Sequence, residues 1–323
     1  MLDLALAYRW CCRARQHFPP CADIWQVRER WEHIRPKLEK QLANGTFCFS
    51  PMQRFRGGED GSLAIWSSID AIVLKSISMY LTVELANKLS YSCVHSKGHG
   101  GVPGAIAILR RLMPIREYFF RSDIASFYSS IDHDTLITQL RSLIQDTGIF
   151  ALVEQSISRC EEYGGVIYNV KQGIPLGSPL PPLLAAIYLL PMDKLMEREN
   201  VGYVRFMDDW VILTASKAKM FAVLRKMTEL LVNLKVRMHR GKTKYGRIRK
   251  GFDFLGFHFS SIFFRCQPSR SSVLMLIAKY CYYLTFDNLL RANNYLRCFL
   301  AYLTGCRCPI SRELRIRLIQ HLC

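Results

Sequence analysis

The sequence predicts an α+β fold, and three observations carry that prediction. Short runs rich in aromatic and β-branched residues, such as Tyr118 to Ile124, read as strands. Longer stretches with apolar residues at helical spacing read as amphipathic helices. The two kinds follow one another without the strict alternation that builds a doubly wound parallel sheet. The chain has 323 residues, half of them hydrophobic. That is enough for a packed core, as one large domain or a core with a smaller lobe.

From Ile24 to Gln41 a mixed-charge helical pattern includes Trp25, Trp31, Ile34 and Leu38, and Pro36 is the expected place for a break or kink. Asn44-Gly45 and the run from Phe55 to Gly61 read as turns. Leu63 to Trp66 is a candidate strand, and Ser68 to Leu89 reads as one long helix. The glycine-rich loop from His95 to Gly101 fits neither a phosphate-binding loop nor a dinucleotide fingerprint, because Pro103 stands where the third glycine belongs. Gly104 to Met113 is a second amphipathic helix. Asp123 lies near the end of the strand Tyr118 to Ile124, and Asp132 can cap a helix with the stripe Leu136, Ile137, Leu140, Leu143 and Ile144. A strand from Val166 to Val170 runs into the loop Gln172 to Pro179, which opens a helix with prolines in its tolerant first turn. Tyr203 to Phe206 and Trp210 to Leu213 make a hairpin around Met207-Asp208-Asp209. Phe221 to Leu234 is helical, Gly251 to Phe259 is an aromatic strand pair or turn, and the stretch from Ser271 is helical, basic and aromatic.

Lys and Arg total 44 against 26 acids, a net charge of +18. Such an excess favours a polyanionic partner, nucleic acid before membrane. The longest apolar run, Leu180 to Met192, is too short to span a bilayer and holds Pro181, Pro182 and Pro191. The N-terminal residues combine an early acid with a very short apolar core, so no signal peptide is expected. Twelve cysteines without a disulfide-scaffold rhythm suit a reducing cytosol. Cys306 and Cys308 with His321 and Cys323 are off the usual zinc spacing, and free thiols are expected there.

Asp123 at a strand's end and Asp208 with Asp209 at a hairpin tip are the candidate chemical centre. Adjacent carboxylates repel, so a partly buried pair needs a cationic partner. If Asp123 lies on the neighbouring strand, the three acids form an oxygen-rich site for hard divalent cations. Two magnesium ions held this way can activate a hydroxyl and stabilise a leaving pyrophosphate. Taken alone, Asp208-Asp209 is equally a surface turn with two solvated acids.

The surrounding segments change that balance. RSDIASFYSSI, QGIPLGSPLPPLL and RFMDDWVIL, followed by MHRGKTKYGRI and GFDFLGFHF, resemble in order and spacing the palm motifs of bacterial reverse transcriptases. These are the group of intron, retron and stand-alone defence-associated enzymes, and the likeness runs from about Ser62 to Phe259. The resemblance implies a right-hand polymerase fold with fingers, an antiparallel-sheet palm and a short helical thumb. It divides the chain into an N-terminal helical extension over residues 1–61, fingers and palm over 62–262, and a basic thumb over 263–323.

It also implies that Asp123, Asp208 and Asp209 are catalytic and hold Mg2+, two ions with Mn2+ as a substitute, aided by the Ile124 carbonyl. Tyr128, beside Phe127, falls at the position of an aromatic gate against the 2′-hydroxyl. Gln172 and Gly173 fall beside the incoming nucleotide, and Lys242 where a lysine can protonate the leaving pyrophosphate. On residue type alone, Tyr128 reads first as a core aromatic beginning a helix, and Lys242 is equally a plain phosphate-facing cation. Phe206 and Trp210 depart from the family pattern without removing a metal ligand, and Arg54, Arg56 and Lys75 are the candidates for the triphosphate in poorly matching fingers.

Arg237, Arg240, Lys244, Arg247, Arg249 and Lys250 lie in a stretch without acids, interleaved with Tyr245 and followed by Phe252 and Phe254, which points to nucleic-acid binding. The partners expected are an RNA template, a structured noncoding RNA, with dNTPs and a DNA product, no membrane and a bacterial cytoplasmic location. About sixty residues follow the palm, so a stand-alone enzyme of antiphage defence is expected in preference to an intron protein with a nuclease. Template-independent or protein-primed DNA synthesis, and an RNA-binding scaffold with an idle palm, are the alternatives.

Overall fold

Capping chemistry sets where many of the helices begin. The computed structural model describes residues 2–56, 62–175, 177–260, 266–285 and 288–308. Asp3 accepts from the Leu6 N–H at 2.8 Å and opens α1 (Leu4–Ala14). α2 (Asp23–Glu29) and α3 (Trp31–Ala43) follow, and the break falls at Arg30, not at Pro36, which lies inside α3. Pro36 sits in the second turn and forfeits one backbone bond there, while Ile24 and Val27 on α2 and Trp31 and Leu38 on α3 bury separately. β1 (Met52–Arg56) and β2 (Ser62–Ile65) precede α4 (Ser68–Glu84). Ser67 caps α4: its hydroxyl accepts from the Asp70 N–H at 3.1 Å and donates to Asp70 Oδ2 at 2.7 Å. The helix expected to reach Leu89 stops at Glu84 and ends in a 3-10 turn, Ala86–Lys88.

Next come α5 (Gly101–Leu112), β3 (Tyr118–Ser122) and α6 (Phe127–Ser130). Asp132 caps α7 (His133–Leu143) through the Thr135 N–H at 3.0 Å, and Asp146 caps α8 (Thr147–Ile157). β4 (Cys160–Tyr163) and β5 (Val166–Asn169) form a hairpin, and α9 (Pro181–Tyr188) opens on its two prolines. α10 (Leu190–Arg198), β6 (Gly202–Phe206), β7 (Asp209–Thr214), α11 (Lys217–Asn233) and β8 (Lys244–Arg247) complete the middle of the chain. β9 (Phe252–Phe254), β10 (Phe257–Phe259), β11 (Cys266–Pro268), α12 (Arg270–Thr285) and α13 (Leu289–Gly305) follow.

These elements fall into two compact units that interleave along the chain. The first takes the described residues of Met1–Ser90, Ala125–Pro191 and Leu231–Arg237; the second takes those of Tyr91–Ile124, Met192–Leu230 and Met238–Cys323. In the first unit a sheet runs β2-β1-β4-β5, with β1 parallel to β4 and the other pairs antiparallel. α4 and α9 are its apolar centre, burying Ile72, Leu74, Ile77, Leu81, Leu184 and Ile187. α1 and α2 pack on α4, and α7 packs on α9.

The second unit is built on a wholly antiparallel sheet, β6-β7-β3-β8, and a smaller one, β11-β10-β9. Strand alternation divides its aromatics between two faces. Phe119, Val211 and Leu213 enter a core with Phe252, Phe254, Phe257 and Phe259, joined by Leu109 of α5, Leu276 of α12 and Leu303 of α13. Phe119 stacks on Phe252 with ring centres 4.6 Å apart. On the opposite face Phe120 stacks between Trp210 (5.4 Å) and Tyr245 (6.4 Å), which accounts for a tryptophan after the paired acids.

Tyr280 is buried, and Tyr283 meets Tyr295 edge-on, so much of the C-terminal aromatic content packs helix against helix. Cys306 and Cys308 are buried free thiols; His321 and Cys323, like Arg265, Arg312, Arg315 and Arg317, lie outside the described residues. No helix among the described residues is long and apolar enough to cross a membrane.

Candidate active site

Register brings the acids together within the second unit. β3 and β7 pair with Ser122 opposite Trp210 and Arg121 opposite Val211, and β6 pairs with β7 through Phe206 opposite Asp209. Asp209 therefore begins a strand and is not at the hairpin's tip. Alternation puts it on the same face as Arg121 and as Asp123, the residue after β3. Asp208 shares the tight turn with Met207, whose φ of +56° is left-handed. That backbone reversal, which strand geometry alone forbids, lets both neighbouring acids serve one site.

Asp123 is buried, and its backbone carbonyl accepts from the His239 N–H at 2.7 Å. Ile124 faces Met238 in an isolated antiparallel bridge whose two hydrogen bonds run through the flanking residues, which keeps the Ile124 carbonyl out of the ladder. The Lys242 ammonium pairs with Asp123 Oδ2, and that bond raises the lysine's pKa. Burial, then the close approach and charge of Asp123, pushes Asp208 up to about 7. Burial also pushes Asp209 up to about 6, with Asp123 adding to the rise and Arg121 and Lys242 opposing it.

The electrostatics answer the question of compensation. Without a bound cation the acids are balanced by Lys242, by Arg121 and by retained protons. Among the described residues no three His, Cys, Asp or Glu side chains stand in a ready-made metal cage. The donor set nevertheless fits a hard cation: Asp123 Oδ1 and Asp209 Oδ1 are buried without a hydrogen-bond partner. A divalent ion would satisfy both oxygens and favour the ionised carboxylates that burial disfavours.

Two anchors of this hairpin escaped sequence reading. Arg205 is fully buried, and its guanidinium binds both carboxylate oxygens of buried Asp193 (2.8 and 2.5 Å) while donating to the Met207 carbonyl at 2.9 Å. Tyr203 donates to the same Asp193 at 2.8 Å. From the glycine-rich loop, His95 Nδ1 accepts the Met207 N–H at 2.9 Å.

Tyr128, Phe127, Gln172 and Gly173 belong to the first unit, where they are gathered locally. The Gly173 N–H donates to the Ile131 carbonyl at 2.8 Å, and the Ile174 N–H to the Tyr128 carbonyl at 2.9 Å. Gly173 has φ +81°, and a Cβ there would lie 2.9 Å from Ser129 Cα and 3.0 Å from the Tyr128 carbonyl. His133 Nε2 (2.8 Å) and Arg159 (2.9 Å) both contact the Gly173 carbonyl. Phe127 is 2 % exposed and meets Tyr188 edge-on, so it supports Tyr128 from within the core. Of the triphosphate candidates, Arg54 pairs with buried Glu161, Lys75 lies over the Trp10 ring at 4.7 Å, and the Arg56 side chain is outside the described residues.

Arg237, Arg240, Lys244, Arg247, Arg249 and Lys250 are all exposed, and among the described residues none of them forms an ion pair. Lys244 and Arg247 lie on β8, the edge of the large sheet.

The family model for "Reverse transcriptase (RNA-dependent DNA polymerase)" matches residues 85–259, more than half of the chain. The chain belongs to the reverse transcriptase family. Among relatives of this reverse transcriptase chain, the Putative COX1/OXI3 intron 2 protein of Saccharomyces cerevisiae is 28% identical over 173 residues, 50% of this chain and 20% of that protein. Protein YkfC of Escherichia coli is 25% identical over 174 residues, 43% of this chain and 46% of YkfC. Group II intron-encoded protein LtrA of Lactococcus lactis is 24% identical over 179 residues, 52% and 29% of the two chains. The chain thus spans less than half the length of each of these relatives.

Proposed function

We propose that the chain is an RNA-directed DNA polymerase that extends a primer with dNTPs. The observation carrying this reading is the approach of Asp123 to Asp208 and Asp209, with buried unpartnered oxygens, inside a reverse transcriptase domain. In this reading the sheet β6-β7-β3-β8 is the palm, the first unit supplies the fingers, and α12 with α13 forms the thumb.

Asp123, Asp208 and Asp209, with the Ile124 carbonyl, would hold two Mg2+ ions. When bound, the ions lower the pKa of the primer 3′-hydroxyl and neutralise charge on the triphosphate. The chain's own groups do the rest. Lys242, whose ammonium pairs with Asp123, would stand beside the leaving pyrophosphate and could give it a proton. Tyr128, held over Gly173 by the backbone bonds described, restricts the sugar. The exposed basic residues of 237–250 grip phosphates. The reading extends to a structured noncoding RNA as template and to antiphage defence in a bacterial cytoplasm; the +18 charge and the motif resemblance support it.

Primer extension on an RNA template with Mg2+ and dNTPs tests this. DNA complementary to the template is expected, and it should disappear in Asp123→Asn and Asp208→Asn variants and on chelation. DNA synthesis that survives chelation, or product without complementarity, would overturn the reading, the latter in favour of template-independent synthesis.

A further inference from the structure

Met207 is left-handed at φ +56°, although methionine has neither the freedom of glycine nor the local hydrogen bonding of asparagine to favour it. Such a conformation costs on the order of 1–2 kcal/mol and persists where surroundings over-determine it. Here both peptide groups of the residue are engaged. Its N–H donates to His95 Nδ1 at 2.9 Å, which requires an imidazole nitrogen without a proton. Its carbonyl accepts from Arg205 at 2.9 Å.

The two anchors are tied to each other. The Arg205 N–H donates to the Ser92 carbonyl at 2.8 Å, and the Val94 N–H to the Arg205 carbonyl at 2.9 Å, so the loop carrying His95 is laced to β6. The His95 ring also meets Phe206 edge-on at 5.8 Å. Arg205 cannot swing away, because Asp193 holds its guanidinium through two oxygens and Tyr203 holds Asp193. The bonds that His95 and Arg205 make to Met207 are to its backbone and not to the acids' carboxyl groups. They act on the peptide that precedes the acids.

We propose that His95 and Arg205 are positioning residues that clamp Met207 in its left-handed conformation and thereby aim Asp208 and Asp209 for divalent-cation capture. The idea rests on the polymerase reading for its purpose, but its physical content concerns the metal-free protein. His95→Asn keeps an acceptor for the Met207 N–H, whereas His95→Leu removes it. Arg205→Lys keeps a cation beside Asp193 but not the planar fork that also reaches Met207.

Amide exchange of the peptide spanning Met207, read by mass spectrometry without metal, and Mn2+ binding to the free protein, read by electron paramagnetic resonance, are the measurements. His95→Leu should speed exchange and weaken Mn2+ binding, each by about tenfold, the value of one lost hydrogen bond. His95→Asn should restore both to within about threefold, a residual of well under one hydrogen bond. Arg205→Lys, with circular dichroism showing a folded protein, should weaken Mn2+ binding similarly. Unchanged exchange and binding in His95→Leu, or equal losses in the Asn and Leu variants, would overturn the clamp; unchanged binding in Arg205→Lys would remove Arg205 from it. If Asp208→Asn still synthesises DNA, the polymerase reading fails while these two measurements still decide the clamp.

Discussion

Replacing Asp209 with Asn should stabilise the metal-free protein, increasingly so as pH rises. The side chain is held mostly out of water, and its pKa stands at about 6 against an ordinary 3.8. Between those values the unfolded chain has lost the proton that the folded one keeps. Unfolding therefore releases a proton, and rising pH favours the unfolded state. At 1.36 kcal/mol per pKa unit the full penalty is about 3 kcal/mol, reached above about pH 7, and falls to about half a kcal/mol at pH 4. An asparagine has no such penalty. Urea unfolding of both proteins in chelator, at several pH values from 4 to 8, should show the variant's advantage growing toward that figure. Millimolar Mg2+ should reverse the order, because only the native site gains a ligand for the ion. A stability difference that stays flat across the pH range would refute the argument, since burial would then not be opposing ionisation.

Other perturbations follow from particular contacts. Gly173→Ala forces a Cβ into the backbone of Ser129 and Tyr128 at a left-handed φ, so stability should fall by about 2–4 kcal/mol; a loss below about 0.5 kcal/mol in chemical denaturation would contradict the close approach. Tyr128→Ala should admit ribonucleotides, and an unchanged preference for dNTPs over rNTPs in single-nucleotide extension would remove the gate. Replacing Arg237 and Arg247 together with Gln should lower the slope of log affinity against log salt for a template-primer duplex by about 2, and an unchanged slope would exclude them as phosphate contacts.

Much of the site was legible because its chemistry demands unusual text. Acids interrupting apolar strand runs at 123 and 208–209 are conspicuous, and period-two aromatics such as Phe119 and Phe252 announce a sheet with a buried face. Local signals were weaker guides to where elements end. Pro36 looked like a break, yet an early helical position tolerated it, and separate apolar contacts moved the boundary to Arg30. Phe127, expected with Tyr128 beside the nucleotide, is buried at the start of α6.

The deeper limit concerns which charges answer which. Arg205 stands three residues before Asp208 and is the cation nearest to the pair along the chain. The fold sends its guanidinium to Asp193 on α10 and to the Met207 carbonyl in the turn. The cations that oppose the acids are Arg121, from the neighbouring strand, and Lys242, 119 residues from Asp123 along the chain. His95 reaches Met207 across 112 residues. Coulomb energy depends on distance in space, and register decides that distance. Sequence adjacency is therefore no guide to the counter-charge, because strand register and not chain distance sets which side chains share a face.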